Sequence, residues 1–197
     1  MLEKLCQVHP AGCAYIGNPC FSWIWISRRR FKRHGWNIPG DPNNKKTDQQ
    51  NRIAQTVALF ILTCSCLGVH SVLENPLTSL LFRYGPIWKA LCQVHATRCV
   101  INMGAFNGET MKSLVLFGTV PWLSDLAHIS RVRTKSMKVR GADAMCHIYS
   151  RAGVRKVKGK AKRLQTSAAY TYTFGLVTSM LHRTHSANDV LEFLASP

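Results

Sequence analysis

Acidic side chains are scarce in this sequence of 197 residues: 9 Asp and Glu stand against 26 Lys and Arg, a formal net charge of +17. A chain with so few acids is poorly suited to basic partners, whereas it attracts polyanions such as DNA, RNA or an anionic membrane. Hydrophobic residues still make up 46% of the chain. That fraction excludes intrinsic disorder of the whole chain, and the length predicts about one domain.

Closely paired cysteines and a leading apolar run are also missing. The eight cysteines include no pair with CxxC spacing, which disfavours a disulfide scaffold, and reduced thiols are expected. The first twenty residues carry Glu3 and Lys4 and no continuous apolar run, so no secretory signal is expected. The sequence therefore indicates an intracellular protein, and a DNA ligand would place it in the nucleus.

Basic residues are concentrated in two segments. The first follows the aromatic run at 21–25 and extends from Arg28 to Arg33. The second, from Arg131 to Arg163, holds 12 Lys or Arg and a single acid, Asp143. Mutual repulsion predicts that this second segment is exposed or loosely ordered in isolation and available to phosphates. The residues expected to contact nucleic acid are Arg28, Arg29, Arg30, Arg131, Arg133, Lys135, Arg155, Lys156, Lys158 and Lys160.

Strand and helix patterns alternate between the two basic segments. The apolar stretch from Gly12 to Asn18 predicts a strand, and Asp48 is expected to cap a helix that ends at Gly68. The β-branched run from Val69 to Leu73 predicts a second strand. Helical pieces are expected from Ser79 to His95, and further strands at Arg98–Met103 and Ser113–Phe117. This order predicts an α/β fold with a parallel sheet of about four strands and a final hairpin at its edge.

Two of these strands end at a reactive residue beside a proline. Cys20 follows Pro19 after the first strand, and Glu74 precedes Asn75 and Pro76 after the second. Ligands bind beyond the carboxyl ends of parallel strands, where such side chains gather. A thiolate near the first basic segment has the charge environment of a nucleophile, although most free cysteines are simply small buried residues. The carboxylate needs a partner, and an ion pair or a helix cap is its alternative role.

These loops resemble a known family. Pro19-Cys20-Phe21-Ser22 resembles the Pro-Cys nucleophile loop of DNA cytosine-5 methyltransferases, and Glu74-Asn75-Pro76, some 54 residues later, resembles their Glu-Asn loop. The stretch from Gly104 to Gly118, which includes Lys112, is similar to their glycine-containing turn, basic residue and following strand. The resemblance covers about residues 10 to 122.

The resemblance implies a role for each matching residue. Cys20 would attack C6 of a flipped-out cytosine, and Glu74 would hold the ring at N3 while S-adenosylmethionine supplies the methyl group. Ser22, Asn75 and Lys112 would bind the substrate.

The similarity is closer still to a group of uncharacterised basic protist proteins with the same Pro-Cys and Glu-Asn-Pro loops. They share a Trp-rich run after the cysteine, a counterpart of Gly40-Asp41, and a late Ser-Ala-Ala-Tyr like the one from Ser167 to Tyr170.

The chain also departs from the methyltransferase pattern. Only nine residues precede Pro10, and no glycine-rich cofactor loop is found there. We therefore expect an incomplete Rossmann-like methyltransferase sheet with a basic, looser C-terminal region. A truncated or degenerate protein of this kind would be inactive alone, and a protein partner could complete its sheet. The expected domains are 1–125 (partial methyltransferase-like), 126–166 (basic linker or nucleic-acid-binding segment) and 167–197 (C-terminal helix).

Other interpretations stay open. A basic protein that binds nucleic acid without chemistry is the first alternative. A single-pass membrane protein is the second, because the stretch at 53–73 is about one bilayer span long, although Gln55 and His70 interrupt it. Cys64, Cys66 and His70 have partial zinc spacing, yet only Cys92 and His95 could form a second pair, so no metal is expected. Trp23 and Trp25 either stack on bases or form a hydrophobic lid over a core.

Overall fold

The structure is a computed structural model. It describes residues 7–9, 11–108, 112–136, 147–151, 154–158, 171–184 and 187–196. These residues belong to two compact units. One comprises Met1–Val100 and Leu114–Leu123, and the other comprises Ile101–Ser113 and Ser124–Pro197.

A mixed four-stranded sheet forms the base of the first unit. Its strands are β1 (Cys13–Gly17), β2 (His70–Pro76), β3 (Thr97–Asn102) and β4 (Ser113–Gly118), in the order β1-β2-β4-β3. β1 and β2 are parallel, whereas β4 is antiparallel to β2. The expected α/β class and the expected number of strands are confirmed.

The expectation of a wholly parallel sheet is wrong, whereas the last two strands are neighbours at one edge of the sheet, as expected. β4 is inserted between β2 and β3, so β3 forms the edge and only part of the sheet is parallel. The connection from Met103 to Lys112 is shorter than the dozen or more residues that a crossover to a parallel strand requires. A short connection therefore favours reversal of the chain before β4.

Three helices belong to this unit: α1 (Arg28–Phe31), α2 (Lys45–Cys66) and α3 (Gly85–Gln93). The expected cap of α2 is wrong. Asn44 is the N-cap, and its side-chain oxygen accepts hydrogen bonds from the backbone N–H of Lys46 at 3.0 Å and Thr47 at 3.3 Å. Asp48 lies inside the first turn, where a carboxylate still favours the positive helix end. Gly68 follows the helix with φ 67°, as expected for a stop.

The core of the first unit lies between the sheet and its helices. α2 packs against β2 and α3. Buried side chains from all of these elements meet there, among them Trp23, Ile61, Leu73 and Ile87. Trp23 is fully buried, so it belongs to the core and cannot stack on a base. Trp25 is about half exposed (47%) and remains available for contact.

The apolar stretch at 53–73 is divided between two elements. α2 ends at Cys66, and β2 begins at His70. Among the residues that the structure describes, no helix combines the length and the apolar character needed to cross a membrane.

The second unit contains mainly helices. These are α4 (Leu123–Ser136), α5 (Tyr172–Thr184) and α6 (Ala187–Ala195), together with an antiparallel pair of strands, β5 (His147–Arg151) and β6 (Val154–Lys158). The rings of Phe106 and Phe174 pack edge to face at 5.3 Å, and the Asn107 amide donates a hydrogen bond to the Thr173 hydroxyl at 2.9 Å. The second basic segment thus includes the end of α4 and the strand pair of β5 and β6. Two helices, α5 and α6, are found where a single C-terminal helix was expected. The segment from Ser167 to Tyr170 lies outside the described residues.

Candidate functional site

The carboxyl ends of β1 and β2 lie side by side, and each leads into one of the two candidate loops. We call this end of the two strands the candidate edge. Because the two strands are parallel and in register, Gly17 lies opposite Glu74. The segment that carries Cys20 leaves β1 at this position. On its other side, Glu74 lies opposite Leu116 of β4, and β2 continues to Pro76. Glu74 and Asn75 therefore belong to a strand end rather than to a free loop.

Asn75 connects the two segments. Its side chain is fully buried, and its amide donates hydrogen bonds to the carbonyl oxygens of Asn18 at 2.9 Å and Glu74 at 3.0 Å. The carbonyl of Asn18 stands two residues before Cys20, so this bond fixes the start of the cysteine segment against the end of β2. The sequence singled out Asn75 only through its resemblance to a substrate-binding residue, and it missed this structural role.

A tight turn follows Cys20. The carbonyl oxygen of Cys20 accepts hydrogen bonds from the backbone N–H of Trp23 at 2.9 Å and Ile24 at 3.2 Å. The carbonyl of Trp23 in turn accepts from the N–H of Leu80 at 2.9 Å, beyond β2. Cys20 itself is half-buried. The turn that carries this thiol is thus held at both ends by the chain that follows Glu74.

Polar atoms are buried at this edge without a hydrogen-bond partner among the described residues. They are Asn18 Oδ1, Ser22 Oγ and Asn75 Oδ1. Buried polar atoms in native proteins are nearly always paired, so a bound water is the expected partner of each of these atoms. Ser22 is fully buried, so its expected contact with substrate stays a prediction.

The structure assigns Arg33 a different place from its neighbours in the first basic segment. It is fully buried, and its guanidinium lies 3.6 Å from the centroid of the Trp23 ring. Its nitrogens donate to the carbonyl oxygens of Ile38 at 2.7 Å and Pro39 at 3.0 Å, and to the Asn51 side chain at 2.9 Å. Burial lowers the pKa of Arg33 to about 10. Arg33 therefore supports the turn after Cys20 through its contact with the Trp23 ring, and it is not a surface cation.

The other residues of the first basic segment lie nearer the surface. Arg28 donates to the carbonyl of Thr78 at 3.0 Å, which ties α1 to the chain after β2. Arg29 and Arg30 are exposed, and the guanidinium of Arg30 lies 5.7 Å from the Phe31 ring centroid. Arg29 and Arg30 are thus accessible to phosphates, whereas Arg28 is partly committed to a contact within the protein.

The remaining predicted contacts lie in the second unit. Arg131 is exposed on α4, while Arg133 donates to the carbonyl of Ala105 at 2.6 Å. Lys112 precedes β4, and its carbonyl accepts from the N–H of Met103 at 2.9 Å. Lys135 lies on α4, Arg155, Lys156 and Lys158 lie on β6, and Lys160 falls outside the described residues. Their roles, like that of Lys112 in substrate binding, stay predictions.

Three other thiols are protected by their surroundings. Burial raises the pKa of Cys99 to about 12 and that of Cys13 to about 11, with a smaller contribution from Cys64 to the latter. Burial raises the pKa of Cys64 as well. These thiols stay protonated near neutral pH and are poor nucleophiles. No group of three or more metal-ligating side chains occurs within the described part of the chain, including the region of Cys64 and His70.

Comparison with models of protein families, with curated proteins and with solved structures finds no match to this chain. Functional interpretation therefore depends on the residues and geometry described above.

Proposed function

We propose that the protein is a DNA cytosine-5 methyltransferase-like domain that binds a cytosine base at the edge of β1 and β2. In this proposal the Cys20 thiolate adds to C6 of the ring, and the Glu74 carboxyl group holds the ring at N3. The protein does not transfer a methyl group by itself.

The hydrogen bond from Asn75 to the Asn18 carbonyl is the observation that carries the proposal. It joins two segments that are more than fifty residues apart in the sequence and keeps the strand ends that carry Cys20 and Glu74 adjacent. A reaction between a thiol and a held base needs this kind of preset geometry, because positioning supplies a large share of rate enhancement.

S-adenosylmethionine, the cofactor implied by the resemblance, does not fit the residues at this edge. A nucleoside cofactor is usually held by a glycine-rich loop and by a carboxylate that binds the ribose. The segments 17–24 and 74–80 contain a single glycine, Gly17, and a single acid, Glu74, which this proposal assigns to the base, and each carries a proline. We therefore derive no step that uses the methyl donor and propose base binding with thiol addition alone.

The addition step is tested with an oligonucleotide that contains 5-azacytosine in place of one cytosine. Attack of the thiolate on C6 moves the ring electron pair to N5, which takes up a proton from water, and a covalent adduct forms. Intact mass spectrometry should show this adduct for the parent protein and not for Cys20→Ala. Cys66→Ala, which removes an exposed thiol elsewhere, is the matched control and should retain it. An adduct that persists in Cys20→Ala, or is absent from the parent protein, would overturn the proposal.

A non-catalytic nucleic-acid-binding protein is the second candidate function, and the exposure of Arg29, Arg30 and Arg131 favours it. Neutralisation of phosphates makes affinity fall steeply with salt. The two candidates differ in one result: this second function predicts salt-dependent binding with no adduct at Cys20.

A further inference from the structure

A short hairpin in the first unit presents a tryptophan to solvent. The backbone N–H of His34 donates to the carbonyl of Asn37 at 3.0 Å, and the N–H of Asn37 donates back to the carbonyl of His34 at 3.1 Å. Gly35 and Trp36 form the turn between them, and the Trp36 side chain is 87% exposed. The His34 ring stacks on the Trp36 ring with centroids 5.0 Å apart and planes 15° apart. We call residues 34–37 the aromatic hairpin.

The aromatic hairpin is held firmly by its surroundings. The Asn37 amide donates to the carbonyls of Lys32 at 3.2 Å and Gly40 at 3.4 Å. The buried guanidinium of Arg33 binds the carbonyl of Ile38, the next residue, at 2.7 Å. An exposed tryptophan on a fixed turn has lost conformational freedom before any ligand arrives. Such side chains are typical of binding hot spots, since little further ordering opposes association.

The charge around the aromatic hairpin indicates the chemistry of its ligand. The residues from 21 to 40 contain no acid, and Arg29, Arg30 and Lys32 are exposed. Lys32 is paired with Asp41 at 2.9 Å and Arg28 binds the Thr78 carbonyl, so Arg29 and Arg30 are the exposed arginines of α1. An exposed aromatic platform in a basic segment complements a polyanion that has flat rings, which describes unpaired nucleotides. In a duplex the base faces are covered by their neighbours, and a stacking platform gains little there.

We propose that the aromatic hairpin stacks on an unpaired base of single-stranded nucleic acid, while Arg29 and Arg30 contact its phosphates. This inference rests on the proposed function only in taking nucleic acid as the ligand. It names the form that binds: a strand with accessible bases. The Trp36 ring supplies one free face, because the His34 ring covers the other.

Two probes of equal charge separate stacking from electrostatics. One is a short oligothymidylate, and the other is an abasic oligonucleotide of the same length; binding is followed by fluorescence anisotropy. Trp36→Ala should weaken oligothymidylate binding by about fivefold to 100-fold and leave abasic binding unchanged. Trp36→Phe should restore most of the affinity for oligothymidylate. The double variant Arg29→Gln with Arg30→Gln should weaken both probes alike.

Trp88→Ala is the control, because Trp88 is another exposed tryptophan (51%) but lies on α3 against Phe117. It should leave both affinities unchanged. Equal effects of Trp36→Ala on the two probes, or no effect on either, would overturn the inference. Cys66→Ala, at an exposed thiol outside both sites, should bind oligothymidylate like the parent protein. If the parent protein forms no azacytosine adduct but Trp36→Ala still weakens oligothymidylate binding selectively, the proposed function alone is refuted. If the parent protein forms the adduct but Trp36→Ala has no selective effect, the role of the aromatic hairpin alone is refuted.

Discussion

The guanidinium of Arg33 lies 3.6 Å from the centroid of the Trp23 ring, and both side chains are fully buried. Trp23 is also the residue whose N–H binds the Cys20 carbonyl and whose own carbonyl binds the N–H of Leu80. A cation from a basic surface segment thus supports the turn that carries the candidate nucleophile. The arrangement is stable without a carboxylate because peptide carbonyls and an aromatic face surround the guanidinium.

Replacement of Arg33 by lysine is expected to destabilise the protein by about 2 kcal/mol or more, because an ammonium group cannot reproduce the planar fork that binds several carbonyls. The free energy of unfolding from urea denaturation measures this loss. Arg29→Lys, an exposed control four residues earlier, should change it by less than about 0.5 kcal/mol. Equal effects of the two changes would show that the buried contacts of Arg33 contribute nothing.

Replacement of Asn75 by alanine should lower the free energy of unfolding by about 1 to 3 kcal/mol, since it leaves the Asn18 carbonyl without its buried donor. Freed from β2, the segment that carries Cys20 should also be alkylated faster by iodoacetamide. Asn43→Ala changes an exposed asparagine and serves as the control. An alkylation rate of Cys20 that stays unchanged in Asn75→Ala would contradict the proposed link between the two segments.

Stability should decline at alkaline pH because of the buried thiols. In the folded state the pKa of Cys13 is raised to about 11 and that of Cys99 to about 12, against an ordinary value of 9.0. Above pH 9 the unfolded chain therefore binds fewer protons than the folded one. The contribution of the two protonated thiols to the free energy of unfolding is complete below pH 9 and is lost as pH rises through 11 to 12.

The loss is expected to be on the order of 5 kcal/mol by pH 11 for both thiols together. In thermal unfolding measured from pH 8 to pH 11, the stability of the double variant Cys13→Ala with Cys99→Ala should decline less steeply than that of the parent protein. Cys66→Ala removes an exposed thiol and should keep the parent slope. Identical slopes for all three proteins would exclude the buried thiols as the cause.

Purified protein is expected to transfer no radiolabelled methyl group from S-adenosylmethionine to DNA, because the segments at the candidate edge have no glycine-rich loop and no acid besides Glu74 that could bind a ribose. Binding of the same DNA should persist and weaken between low and physiological salt. Methyl transfer that depends on Cys20 would refute this expectation. Binding that does not respond to salt would refute the electrostatic contact.

Local signals in the sequence were sufficient for β1 and for the first part of β2, because short apolar runs followed by Asn-Pro favour strands. β2 continues through Glu74 and Asn75 to Pro76, which the sequence indicated as a loop. The position of β4 could not be predicted, since sheet order depends on packing between distant segments. Arg33 was grouped with surface cations because residue type and position in a basic run do not reveal burial. The aromatic hairpin was missed for a related reason, because stacking between His34 and Trp36 depends on the turn that joins them.

Release of tritium from C5 of cytosine in a single-stranded oligonucleotide tests the central claim most directly, because it requires no methyl donor. Addition of the Cys20 thiolate at C6 makes C5 able to accept a proton from water, and reversal of the addition then expels either hydrogen isotope. The parent protein should release tritium into water, Glu74→Gln should release it more slowly, and Cys20→Ala should release none. Release by Cys20→Ala at the parent rate, or no release by the parent protein, would contradict the assignment of Cys20 and Glu74 to one base-binding site.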